Sequence, residues 1–333
     1  MIKGLVLLLA ITATICSELR GAANDDLLFK EFNQFLLKYN KSYSSKEEFN
    51  ARFQIFKNNF VRLNTYKGTR RSTHKVGITK FFDMTPQEFR RQYTNLSLSV
   101  LELVRSKATL IRVEKKALAD SVDWRSQGAV VNVKDQGQCG SCWAFSTVAN
   151  IESQNFIKHG NLIALSEQQL VDCDDNGDQG CNGGLMENAF EYLTNNGGIM
   201  LQKDYPYTAR NGKCKFSKAK VAVTLNGFNK LDSTDEDEIA TFLASNGPLS
   251  IAVNADPLQY YDSGVIDVDE SECDPQGLDH GVTLVGYGVS GSQKFWIVRN
   301  SWGTNWGEKG YFRIVRGTGA CGINTDVSTA IIN

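Results

Sequence analysis

Cys142 follows Gly140 and Ser141 and opens a stretch, Trp143 to about Ile157, in which Ala144, Val148, Ala149, Ile151, Phe156 and Ile157 fall largely on one side of a helix. No proline or glycine interrupts it before Gly160. A cysteine attacks as thiolate, and a helix N-terminus and a neighbouring imidazolium both stabilise that anion, so the placement suits an activated nucleophile. His280 lies 138 residues after this thiol and Asn300 lies 158 after it. Asn300, bonded to the far ring nitrogen of His280, would hold the ring in place, the task of the third member in a set of nucleophile, base and orienter. Gln136 stands six residues before the thiol. Its side-chain amide and the backbone N–H of Cys142 would be the two donors of an oxyanion hole. These residue types point to acyl transfer through a thiol.

A rival reading makes Cys139-Gly140-Ser141-Cys142 a redox or zinc pair. That needs a thioredoxin-like βαβ setting or a second ligand pair at metal spacing, and the sequence has neither. The chain has eight cysteines. With Cys16 in an N-terminal leader and Cys142 as nucleophile, six remain, and they admit fifteen pairings that spacing leaves open.

Further motifs follow: Ser121-Val122-Asp123-Trp124-Arg125, Cys181-Asn182-Gly183-Gly184, Asp279-His280-Gly281 and Asn300-Ser301-Trp302-Gly303-Thr304-Asn305-Trp306-Gly307. Together with Gln136-Gly137-Gln138-Cys139-Gly140-Ser141-Cys142-Trp143, which holds the signature around the papain and cathepsin nucleophile, they make the chain resemble the papain-like cysteine peptidases, cathepsin L-like group. The resemblance covers essentially everything after the leader. It implies an α+β, papain-like two-domain fold, with a helical left domain and a β-barrel-like right domain, behind a mostly helical N-terminal propeptide. The thiol would come from one domain, His280 and Asn300 from the other.

The same resemblance implies peptide-bond hydrolysis through a thioester acyl-enzyme. Cys142 would attack, His280 exchange protons, Asn300 orient it, and Gln136 help hold the oxyanion. Implied disulfides are Cys139–Cys181, Cys173–Cys214 and Cys273–Cys321; no cofactor or metal is implied. Substrate-binding positions are Gly183, Gly184, Leu185, Met186, Ala252, Leu278, Asp279, Gly281 and Trp302, the last lying over the Asn300–His280 contact. Leu185, Met186, Ala252 and Leu278 suit a bulky apolar side chain two residues before the scissile bond, the P2 position. Asp326 matches the pocket floor. A carboxylate there would pair with a P2 arginine unless it turns to solvent, and that option would weaken as it protonates. Relatives that trim chain ends use an added histidine pair, but this chain has only His74, His159 and His280, so an endopeptidase is expected. Expected partners are protein and peptide substrates, the chain's own propeptide as inhibitor and cystatin-like inhibitors. Nucleic acid binding, stable membrane insertion and oligomers are not expected.

Lys3 followed by the apolar run from Leu5 to Ile15 suits a signal peptide, being too short to span a bilayer. Residues 1–23 are assigned to it, with cleavage after 16 or 23. The destination would be a lysosome or lysosome-like vacuole, or alternatively the extracellular space. Residues 24–117 then read as propeptide and 118–333 as mature peptidase. The first holds 19 Lys and Arg against 9 Asp and Glu, the second 15 against 27. A basic domain for nucleic acid would rest on that asymmetry alone.

Two helical patterns occupy the propeptide: Phe29, Phe32, Phe35, Leu36 and Tyr39, then Phe49, Phe53, Phe56, Phe60 and Leu63. Ser45 and Glu48 form a capping-box start, with Glu48 one turn from Arg52. Glu48-x3-Arg52-x3-Phe56-x2-Asn59-x3-Leu63 resembles the propeptide motif of the same family, from which Leu63 and Lys67 depart; the next element, Gly77-x-Thr79-x-Phe81-x-Asp83, has Thr79 where the family has asparagine. If mature-domain carboxylates hold propeptide Lys and Arg, their pKa values should be depressed and acid should loosen the inhibitor. Leu110 to Lys116 would be the processing region.

In the mature part, Ser166 caps a short helix to about Val171, and Leu249–Val253, Val282–Val285, Phe295–Arg299 and Tyr311–Val315 read as strands. Asp232 to Glu238 reads as a solvated face and helix start. His159 reads as a cation at a helix C-terminus. Asp172, Asp174 and Asn176 mimic half an EF-hand loop, but Gly183 stands where the bidentate Glu belongs. Asn40 and Asn95 fit the glycosylation pattern.

Overall fold

The computed structural model describes residues 25–69, 74–96 and 108–333. The expected signal segment, residues 1–23, lies outside them, as do Ser97 of the second glycosylation pattern and the side chain of Lys67. Two compact units are formed, one by the described residues up to 69 with Lys80–Thr85, the other by residues 74–79 with Pro86–Asn333.

The first unit is built on helices α1 (residues 25–39) and α2 (Lys46–Thr69). Their phenylalanine spacing supplies its core: Phe32 is fully buried, with its ring 5.2–5.3 Å from those of Phe49, Phe53 and Phe56. Each such pair adds about 0.5–1.5 kcal/mol beyond the area it buries. Buried Asn59 donates to the carbonyls of Phe82 (3.0 Å) and Met84 (2.8 Å), tying α2 to the turn at residues 80–84. The cap differs from expectation. Ser45 Oγ accepts the Glu48 N–H at 3.1 Å, but the Glu48 carboxylate turns back to Ser44, and Arg52 donates to the Asp83 carbonyl. The Ser44 bonds hold the Glu48 carboxyl below its usual range.

The second unit carries strands β1 (Lys75–Val76), β2 (Thr109–Ile111), β3 (Val122–Asp123), β4 (Ile199–Met200), β5 (Val221–Val223), β6 (Leu225–Leu231), β7 (Leu249–Val253), β8 (Tyr261–Ser263), β9 (Val265–Ile266), β10 (His280–Ser290), β11 (Gln293–Arg299), β12 (Tyr311–Val315) and β13 (Val327–Ile332). Its helices are α3 (Pro86–Tyr93), α4 (Cys142–His159), α5 (Glu167–Cys173), α6 (Met186–Asn196) and α7 (Glu236–Asn246). The main sheet runs β2-β6-β13-β7-β10-β11-β12-β9, with β3 also on β10. β2–β6 and β12–β9 are parallel; the other pairs are antiparallel. β2 and β9 at the ends do not pair, so the sheet is open and does not close as a barrel.

Helix α4 lies on β7, β10 and β13, and all five residues of β7 are buried. Polar ties fix its position, since buried polar groups need partners. Ser146 donates to the Val282 carbonyl at 2.7 Å, and Asn150 accepts from Ala330 N–H and donates to the Pro248 carbonyl, both at 2.8 Å. The helix ends at Gly160 in the left-handed region (φ 71°), where the N–H closes on the Phe156 carbonyl. His159 Nε2 lies 2.8 Å from the Asn333 carbonyl. Ser166 caps α5 by accepting Gln169 N–H, and Asp235 caps α7 by accepting Asp237 N–H. Disulfides join Cys139 to Cys181, Cys173 to Cys214 and Cys273 to Cys321; Cys142 is free.

Candidate active site

Cys142 is the first residue of α4, and Ser141 before it gives no side-chain cap, so the free N–H groups of the first turn present their partial positive charge there. The register of β10 on β7 sets Gly281 opposite Ala252 and His280 opposite Val253. Gly281 lets the strand come close to the helix start: a Cβ there would stand 3.2 Å from the Cys142 carbonyl oxygen and 3.0 Å from Met186 Sδ, tighter than ordinary contact. Hairpin β10–β11 then returns Asn300 to His280: His280 Nε2 lies 2.8 Å from Asn300 Oδ1. Ser301 N–H also donates to this Oδ1 at 2.8 Å, which identifies the atom as the acceptor and puts the ring proton on Nε2. Nδ1 of His280 is buried without a hydrogen bond and keeps its lone pair. Trp302 stacks on the imidazole at 4.7 Å and is fully buried.

Residues 86–96 lie across this constellation. The Cys142 thiol donates to the Thr94 carbonyl at 3.3 Å. Gln136 Nε2 donates to the Tyr93 carbonyl at 3.1 Å and to the Cys139 carbonyl at 2.8 Å, while its Oε1 accepts from Ser301 Oγ. Phe89 meets Trp302 edge-on at 5.3 Å, and Arg90 grips Asp256 through two bonds of 2.6–2.7 Å. Thr94 Oγ1 donates to Asp279 Oδ2 at 3.2 Å, and Leu96 N–H to the Asp279 carbonyl at 2.9 Å. Leu96 bridges Gly184 in parallel sense. Gly183, at φ +112°, lets the chain approach: a Cβ would be 2.3 Å from the Asn95 carbonyl oxygen. The Leu96 side chain is 8% exposed and belongs to the apolar cluster of Leu185, Met186 and Ala252, with Leu278 packed against it.

Burial decides the protonation states. It pushes the Cys142 thiol up to about 12 and His280 down to about 4, in both cases as the largest effect. The expected thiolate and imidazolium are therefore not the state of this form, because loss of water around both groups outweighs the helix terminus. Burial also raises the Asp279 carboxyl, to about 6.

Asp326 has a partner that the sequence reading did not include. Its side chain is 1% exposed, so it has not turned to solvent, and its carboxylate is bound by the ammonium of Lys230. Lys230 also reaches Glu187 Oε1 at 2.7 Å. The sequence offered no signal for this, since Lys230 follows the polar Asn229 in β6 and looks like an ordinary solvated lysine. Ser301, which orients Gln136, was visible in its motif but had no assigned part. Thr94 and Leu96 had no signal, since three residues after a helix carry no periodicity.

Comparison with known proteins agrees along the length of the chain. Residues 118–331 match the model of the papain family cysteine proteases, and residues 32–89 that of the cathepsin propeptide inhibitor domain (I29). Cysteine proteinase 15A of Pisum sativum is 46% identical over 323 residues, covering 92% of this chain and 87% of that protein. Cathepsin L of Sarcophaga peregrina is 42% identical over 313 residues, 90% of this chain and 92% of that protein. The structure of digestive procathepsin L2 proteinase from Tenebrio molitor larval midgut superposes with a TM-score of 0.85 at 35% identity, over 91% of this chain and 99% of that one. The chain thus belongs to the papain family of cysteine proteases, as a cysteine endopeptidase in zymogen form that carries its own cathepsin-type inhibitory propeptide.

Proposed function

We propose that the mature enzyme, about residues 118–333, hydrolyses peptide bonds through a thioester formed on Cys142, with an apolar residue preferred at P2. His280 Nδ1 takes the thiol proton and later gives it to the leaving amine. Asn300 holds the ring, Trp302 shields that contact, and Gln136 with the Cys142 N–H receives the oxyanion. Gly183, Gly184 and Asp279 bind the substrate backbone, and Leu185, Met186, Ala252, Leu278 and Gly281 form the P2 pocket.

The observation that carries this reading is the path of residues 93–96. The inhibitor places one carbonyl on the Gln136 amide, the next on the thiol, and a leucine in the apolar cluster. A substrate would use the same three features. Residues 1–23 direct the chain into the secretory pathway, for a lysosome-like compartment or secretion, and residues 24–117 are shed. Cystatin-like inhibitors and a monomeric state belong to the same reading.

The test is acid incubation of the purified precursor beside its Cys142→Ala variant, following chain mass and hydrolysis of a Phe-Arg fluorogenic peptide. Shortening to near Leu118 with gain of activity is expected of the unmodified chain alone. A chain that stays silent even after trimming by an added protease, and takes no epoxide label on Cys142, would be a binding homologue instead.

A further inference from the structure

Glu187, Lys230 and Asp326 form a buried cluster of two carboxylates and one ammonium, each side chain 5% exposed or less. The cluster is joined to the walls of the apolar pocket that holds Leu96. Glu187 directly follows Met186, and the Asp326 carbonyl accepts the N–H of Ala252. Lys230 comes from the neighbouring strand, where β6 pairs with β13 and sets Lys230 opposite Ser328. Each carboxylate has one oxygen on Lys230, while Glu187 Oε2 and Asp326 Oδ2 are buried without a hydrogen bond. The two acids thus share one internal cation, and among the described residues no other ammonium or guanidinium is paired with either.

We propose that Lys230 is a specificity-determining residue: its ammonium holds the place at Asp326 that a basic P2 side chain would need, and so restricts the pocket to apolar side chains. The inference rests on the peptidase reading and deepens it. An arginine entering this pocket would have to displace Lys230 or remain an unpaired cation away from water, and either is costly. An apolar side chain asks for neither, so selection works by exclusion. Burial, then the nearby Asp326, raises the Glu187 carboxyl to about 7. Below that pH Lys230 and Asp326 balance as a single pair, and removing the lysine would leave one carboxylate available.

The full-length chain is matured as unmodified protein, Lys230→Met, Lys230→Arg and the double variant Lys230→Met/Glu187→Gln, and kcat/KM is measured for Arg-Arg and Phe-Arg fluorogenic dipeptides. The Arg-Arg to Phe-Arg ratio should be low in the unmodified enzyme, stay low with Lys230→Arg, and rise tenfold or more with Lys230→Met, about 1.4 kcal/mol. Where Lys230→Met does not mature, the double variant, with one buried acid fewer, should show the same rise. A ratio within twofold of the unmodified one, in either methionine variant that still cleaves Phe-Arg, would falsify the role of Lys230. Efficient Arg-Arg cleavage by the unmodified enzyme would also overturn it. Absence of Phe-Arg cleavage by the unmodified enzyme would remove the peptidase reading itself, and this inference with it.

Discussion

At Cys142 the chain holds a neutral thiol facing a carbonyl, and at His280 a neutral ring whose Nδ1 lone pair has no partner. Both are consequences of burial, so the reactive ion pair must wait for the return of solvent. Gln136 is engaged from both ends, by Ser301 at its oxygen and by the Tyr93 and Cys139 carbonyls at its nitrogen, and these bonds fix the amide on which the proposed oxyanion role depends. Gln136→Ala should lower kcat of the matured enzyme by about 10²–10³-fold, with a smaller change in KM, as for other single oxyanion donors. Steady-state kinetics on a Phe-Arg peptide decide it; a change confined to KM would argue for a binding role only. Residue type, spacing and the family resemblance singled out Cys142, His280, Asn300 and Gln136, and the structure shows the His280–Asn300 bond and the burial of all four. Lys230 was not singled out, since only the pairing of β6 with β13 brings it to Asp326.

Among elements, α1, α2, α4 and α5 and the strands β7, β10, β11 and β12 were legible, whereas the helices α3 and α6, the strands β6 and β13 and the short strands were not. Leu249–Val253 and Tyr311–Val315 match their sequence bounds because apolar, β-branched runs announce a buried strand. β1, of two residues, and β2, of three, exist only through their partners β8 and β6. Asn59 shows how one polar residue secures such an irregular segment. Asn59→Ala would leave the Phe82 and Met84 carbonyls without this donor and cost about 1–3 kcal/mol. The lowest-temperature melting transition of the precursor should fall; no change would mean that other donors replace it. The acidic run at 232–238 is more than a solvated face. Asp232 takes Arg112 at 3.4 Å, and Asp235 takes Lys115 at 2.5 Å, next to the expected processing region.

For the molecule as a whole, pH acts through groups of opposite sign. His280 is a base whose pKa falls from its ordinary 6.5 to about 4 on burial, so its contribution to stability is complete above 6.5 and lost as pH falls towards 4. That is worth about 3 kcal/mol. Asp279, raised to about 6, works in the other direction, being favoured below its ordinary value and losing that contribution as pH rises through 6. The Lys115 bond holds the Asp235 carboxyl below its ordinary value, so this pair outlasts mild acid and does not act as the release. Because Asp279 offsets His280 over the same range, the melting temperature of the Cys142→Ala precursor should change little between pH 6.5 and 4, and His280→Asn in that background should leave the Asp279 effect alone, so that the temperature rises as pH falls. An unchanged slope would place the acid response elsewhere.

The blocking residues 86–96 are flanked by strand pairs on both sides, β1 on β8 before them and β2 on β6 after them. A cut between Arg112 and Lys116 breaks the covalent link but none of those contacts. Before the cut the inhibitor is present at the effective concentration of a tether, on the order of millimolar; afterwards its occupancy is set by how much of it is in solution. A concentrated sample of cut chains should therefore remain largely closed and open on dilution, so specific activity after processing becomes a function of volume as well as of time.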